Sequence, residues 1–115
     1  MPDDGSGAPR ADLERRWLDL TRRVLPEAAR GADWPVALDH CFQRILLDNA
    51  VGRCWYDAIA GRPAYAHAPP DVLVRAIGLG EAVLRDEADL RALNRRSLDW
   101  RGKRGPAPTG AFRQT

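Results

Sequence analysis

Asp39, His40, Arg44 and Asp48 stand within a run from Trp34 to Gly52 that is otherwise apolar around most of a helical circumference. A helix apolar on nearly every side is an interior one, so its polar side chains must find partners or stand at a site. At helical spacing His40, Arg44 and Asp48 fall four apart on one stripe, where Asp48 can hold Arg44 while Asp39 approaches the preceding turn. The chemistry open to such a stripe is the gripping of an anion by Arg44, with His40 as a proton carrier tuned by its neighbours. The competing reading is a satisfied network of buried ion pairs that clamps helices together and does no chemistry.

Other residue types that could do chemistry are less well placed. His40, Cys41, Cys54 and His67 are the candidate metal ligands, but their spacings match no zinc pattern, and neighbours on a helix point about 100° apart. Cys41 and Cys54 therefore read as small buried hydrophobes. The same angle aims His40 away from Cys41 as an activating base, and Ser97 sits mid-helix with no sharp turn around it. No metal or cofactor is expected, no side chain can be assigned a catalytic role, and a binding role is favoured over an enzyme.

Two segments suggest phosphate. Arg75, Gly78 and Gly80 fit the Arg-x-x-Gly-x-Gly pattern whose backbone amides hold the coenzyme A pyrophosphate in GNAT-type N-acetyltransferases. Val72, Ala76, Leu79 and Val83 run through that pattern at helical spacing, which places both glycines inside a helix. There a glycine costs about 1 kcal/mol relative to alanine and marks close packing. Near the C-terminal end, Arg95, Arg96, Arg101, Lys103 and Arg104 accompany Trp100, so phosphates could meet the bases while an aromatic face stacks.

The elements that must position these groups are helical. Leu13, Trp17, Leu20 and Val24 predict a first amphipathic helix, its arginines facing Asp12 and Asp19 on a solvated side, with Pro26 ending or kinking it and Gly31 stopping it. A second helix is expected from Trp34-Pro35 to about Ala50, with Leu38, Cys41, Phe42, Ile45, Leu46 and Asn49 inward. Leu47 and Val51 on its other side call for a cover, from another helix or from a partner. A short turn follows around Trp55, then an extended loop from Arg62 to Pro70. A third helix begins near Pro70-Asp71, and a fourth begins between Asp86 and Asp89 and stops at Gly102. With no alternating β-branched stretch, the fold class is all-α: a compact bundle of three long helices plus one or two short ones, with disordered termini.

Size and charge limit the rest. The chain has 115 residues, enough for one domain with one core, expected over 10–101 between a disordered 1–9 segment and a flexible basic tail over 102–115. Its net charge of +2 is the difference between 18 bases and 16 acids. Residues 101–115 carry Arg101, Lys103, Arg104 and Arg113 without an acid, while the body is balanced and lacks the broad basic face of a dedicated nucleic-acid domain. No export signal or membrane-spanning run is present, which points to the cytoplasm with both thiols reduced.

The series Asp39-His-Cys-Phe-Gln-Arg-Ile-Leu-Leu-Asp48, then Trp55-Tyr56, then Leu93-Asn-Arg-Arg-Ser-Leu-Asp-Trp-Arg-Gly-Lys103 resembles a group of small microbial helical proteins, some labelled GNAT-type acetyltransferases. The resemblance spans about 36–103, supplies no mechanism, and marks Asp39, His40, Arg44, Asp48, Asn94, Ser97 and Arg101 as residues to compare together. The expected function is a small binding or accessory protein engaging an acidic or phosphate-bearing partner, such as an acidic protein or nucleic acid. Asp39, His40, Arg44, Asp48, Trp55, Asn94 and Arg101 are its expected site, assisted by the basic C-terminal segment. The alternatives are an acyl-CoA-dependent N-acetyltransferase of the GNAT type, and a protein-interaction module without polar chemistry.

Overall fold

The computed structural model describes residues 9–102, and all its regular secondary structure between those bounds is helical. The expectations for the termini lie outside the described residues, apart from Pro9 and Gly102. The first rod starts with α1 (Arg10–Asp19), which buries Leu13 and Trp17. Pro26 has no N–H to offer the Arg22 carbonyl. The chain neither stops nor breaks there, because a π turn at Leu20–Val24 widens the rod, the Leu25 N–H reaching back five residues to the Leu20 carbonyl. It then continues as α2 (Leu25–Ala29) and ends at Arg30 and Gly31. Thr21, fully buried in the π turn, donates to the Trp17 carbonyl at 2.9 Å and accepts from Gln43 at 3.0 Å, which ties the rod to the central helix.

That central helix is α3 (Asp39–Val51), which buries Phe42, Ile45, Leu46, Leu47, Asp48 and Ala50. Removing each large aliphatic or aromatic side chain from water stabilises by roughly 1.5–3 kcal/mol, so this helix organises the core. It begins five residues later than its periodicity predicts. Trp34 precedes a proline and is driven toward extended backbone, and Leu38 is still extended at ψ 149°. Trp34 reaches the core from outside the helix by an edge-on contact with Phe42, the centroids 6.0 Å apart. Leu38, expected inward, is 59% exposed. Leu47 is buried by this chain's own residues, so it needs no partner to cover it.

Gly52 closes α3 in the left-handed conformation at φ 81°. A single 3₁₀ turn at Trp55–Asp57 follows, then α4 (Ala64–His67), one helical turn inside the segment expected to be extended throughout. Arg10 fastens α4 to the first rod, donating to the Ala68 and Tyr65 carbonyls at 2.6 and 2.7 Å. These carbonyls lie at a helix end that has no continuing turn to satisfy them.

Helix α5 (Pro70–Leu84) starts with proline in its first turn, as expected, and packs along α3 and α1. Gly80 makes the close approach possible: a Cβ there would lie 2.6 Å from Leu20 Cδ2 and 3.1 Å from Leu46 Cδ1. Helix α6 (Leu90–Trp100) is capped by Asp89, whose carboxylate accepts the Arg91 N–H at 3.0 Å. It lies against α3, where Asn49 donates to the Leu93 carbonyl at 2.9 Å. No helix among the described residues is long and apolar enough to cross a membrane.

Candidate functional site

Asp48 is the fixed point of the site. It projects from the last turns of α3 with no solvent exposure, and its two oxygens receive four donors. Arg101, at the end of α6, approaches with Nε at 2.7 Å from Oδ2 and Nη2 at 3.0 Å from Oδ1, a bidentate fork. Ser97, one turn earlier, donates its hydroxyl to Oδ2 at 2.6 Å, and the Trp55 N–H donates to Oδ1 at 2.9 Å. One carboxylate thus joins the end of α3, the end of α6 and the start of the 3₁₀ turn. A buried charge is tolerated only when paired and hydrogen-bonded to this degree.

Arg44 lies one turn before Asp48 but is held differently from the sequence expectation. Asp48 does not orient it. Its Nη1 donates to Ser97 Oγ at 2.8 Å and its Nη2 to Asn94 Oδ1 at 2.9 Å. The reason is geometric: α6 crosses at this level, so Arg101 takes the carboxylate and Ser97 relays between it and Arg44. Ser97, accepting from Arg44 and donating to Asp48, has its proton direction set by the two charges. Arg44, Asp48, Asn94, Ser97 and Arg101 therefore converge, and Trp55 adjoins them.

His40 and Asp39 do not join that network. Their side chains are 74% and 49% exposed, with His40 Nδ1 at 3.7 Å from the Asp39 carboxylate. The carboxylate also accepts the His40 backbone N–H at 2.8 Å. The late start of α3 explains this: both residues belong to the helix's first, solvent-facing turn and have no preceding turn to approach. His40 stands at the rim of the cleft and is not enclosed.

A cleft of about 330 Å³ opens beside the network. Arg44, Arg62, Arg101 and His40 line it with no acidic residue, against walls from Leu47, Trp55, Tyr56 and Tyr65. The Trp55 and Tyr56 rings meet edge to face at 4.4 Å and 74°. Arg62 lies over both, 5.6 Å from the Trp55 centroid and 5.0 Å from that of Tyr56, and Arg101 lies 4.9 Å from the Tyr56 centroid. The Arg101 guanidinium, then Arg62, hold the Tyr56 phenol below its ordinary value by hydrogen bonding, outweighing the smaller upward effect of burial. For Arg101 itself, burial pulls the guanidinium down, but the hydrogen bond and charge of Asp48, and then Tyr56, leave it raised.

Tyr56 and Arg62 escaped the sequence reading because they sit on irregular backbone, where no periodicity assigns a face. The Trp55-Tyr56 pair beside an arginine preceding a proline was the available signal. Elsewhere, Arg75, Gly78 and Gly80 lie within α5, where backbone amides are directed to carbonyls one turn back. Arg75 reaches the Ala50 carbonyl at 3.1 Å and Asp71 at 3.1 Å. Among the described residues no group of three His, Cys, Asp or Glu side chains is arranged to hold a metal. No protein-family model matches the chain, and neither a curated protein nor a solved structure is found to be similar to it.

Proposed function

We propose that this is a small binding or accessory protein that engages an acidic or phosphate-bearing partner through the cleft between α3, the 3₁₀ turn and the end of α6. The observation that carries this reading is an imbalance of charge. Three arginines line the cleft, and the carboxylate beside them, Asp48, is committed to Arg101. Arg44 and Arg62 have no carboxylate within salt-bridge distance among the described residues, and both face the same cleft. A cleft with uncompensated guanidiniums and apolar walls suits an anion, since fixed charges raise its local concentration. The basic residues Lys103 and Arg104 follow closely in sequence and extend the same sign of charge. The cytoplasm is the compartment this reading assumes, consistent with two free thiols at Cys41 and Cys54.

The test is a thermal-shift titration with inorganic pyrophosphate at low and at high salt. Stabilisation that weakens as salt rises, and that is weakened in Arg44→Met, supports the reading. Equal responses from Arg44→Met and the parent chain, or no response from either, overturn it. Arg44 is half-buried and its side-chain partners Ser97 and Asn94 are neutral, so the substitution strands no buried charge.

A further inference from the structure

From the aromatic wall of the cleft we infer that its ligand is a nucleotide unit, a flat base carrying phosphate, an inference that rests on the anion-binding reading above. A simple anion needs guanidiniums alone. Here the same cleft places Trp55 and Tyr56 beside the cations, with Tyr56 53% exposed. Large aromatic side chains left open to water offer a face on which a base can stack, and such stacking is tolerant of base identity.

The polar groups divide the cleft into two ends. At one end, Arg44 has five N–H donors, of which Ser97 and Asn94 take one each, so three remain for phosphate oxygens. Arg101 gives Nε and Nη2 to Asp48 and also hydrogen-bonds the Tyr56 phenol, so to this end it contributes its charge. At the other end, Arg62 rests on the Trp55 and Tyr56 rings, held by no carboxylate among the described residues. It follows Gly61, whose φ of 103° belongs to the left-handed region, where a side chain would be strained and would also collide with the His67 ring. Arg62 thus hangs from a tight corner in direct contact with the aromatic pair, and its exposed side chain can swing outward to let a base stack on the ring beneath the guanidinium. The cleft volume, about 330 Å³, falls at the lower end of the range of small-ligand sites, suiting one such unit and not a longer folded ligand.

A nucleotide unit can come from a free nucleotide or from a single strand, and the two are separable. Binding is followed by tryptophan fluorescence, using adenosine monophosphate, ribose 5-phosphate and a short oligothymidylate on the intact protein. Adenosine monophosphate is expected to quench the fluorescence and to bind about tenfold more tightly than ribose 5-phosphate, since stacking separates the two. Tyr56→Leu, an exposed change, should erase that difference. An oligothymidylate that outcompetes the mononucleotide, with an affinity falling steeply with salt and the same dependence on Tyr56, assigns the unit to a strand. The reverse order assigns it to a free nucleotide, and either order upholds the inference. If ribose 5-phosphate binds as well as the nucleotide, or if an acidic peptide binds in preference to both without regard to Tyr56, the inference fails while the anion-binding reading stands. If no phosphate compound binds, both fail together.

Discussion

Arg101 closes on Asp48 with two parallel hydrogen bonds, 2.7 and 3.0 Å long, where α6 ends and 53 residues separate the partners in sequence. The pair is almost wholly withdrawn from solvent, with side-chain exposures of 9% and 0%. It also decides the shape of the cleft, because the same carboxylate receives the N–H of Trp55 and so fixes the turn that carries the aromatic wall.

Removing one member of such a pair leaves the other charged and buried without its main partner. Arg101→Met is expected to destabilise the protein by about 3 kcal/mol, near the lower end of the range for broken buried pairs because Ser97 and Trp55 still donate to Asp48. The double variant Asp48→Asn with Arg101→Met should lose less than the two single losses combined, since the isolated charge is gone. Urea unfolding of the four proteins measures both quantities, and additive losses would contradict the pairing.

Arg44 is expected to separate from Arg101 in its effects. In Arg44→Met the serine keeps its bond to Asp48, and the half-buried Asn94 loses one donor that water can replace, so the stability change should stay within about 1 kcal/mol. Phosphate binding, by contrast, should fall about tenfold, the equivalent of about 1.4 kcal/mol. Denaturant midpoints together with isothermal titration of pyrophosphate show the split. A large stability loss with unchanged binding would make Arg44 part of the helix clamp alone.

The interior place of α3 was readable because an apolar sequence around the whole helix leaves no solvent side for Ile45, Leu46 and Leu47 to face. The convergence of Arg44, Asp48, Asn94 and Arg101 was readable from two polar stripes on helices that had to pack. Spacing alone could not say which partner Asp48 would take. The four-residue interval offered Arg44, whereas the packing of α6 against α3 delivers Arg101, which reaches both carboxylate oxygens. His40 was misplaced for a related reason. Its interval to Arg44 is helical, but the chain before Asp39 is extended, so His40 lies on an exposed end turn. Tyr56 and Arg62 depend on where the Gly52 and Gly61 corners send the chain, and hydrophobic periodicity carries no record of that.

The Tyr56 phenol provides a pH signature of the cleft. Its pKa lies below the ordinary value of 10.0 because Arg101, then Arg62, stabilise the phenolate. A folded-state value lowered in this way favours the native state in strongly alkaline solution, and the gain is lost as pH falls through the lowered value. Tyrosinate absorbance in a Tyr65→Phe background is the measurement. Arg62→Met should move the transition upward toward the unfolded value, and bound pyrophosphate should do likewise by neutralising the guanidiniums. A transition unmoved by either would separate Tyr56 from the cationic cluster.

Gly78 and Gly80 should respond to alanine with opposite signs. A Cβ at Gly78 meets nothing within 4 Å, so Gly78→Ala gains helix propensity at no steric cost and should stabilise by about 0.5–1 kcal/mol. At Gly80 the added carbon meets Leu20 Cδ2 at 2.6 Å and Leu46 Cδ1 at 3.1 Å, both on buried side chains. Leu20 borders a surface cleft and can yield at its tip, but the fully buried Leu46 has no such space, so an overpacking cost of about 1–3 kcal/mol outweighs the propensity gain and leaves Gly80→Ala less stable than the parent. Thermal melts of the two variants test the contrast, which follows from helix packing and has no reason to arise if both glycines form a phosphate-binding loop. Equal changes of the same sign would remove Gly80 from the contact with Leu20 and Leu46 and return the pair to the loop reading.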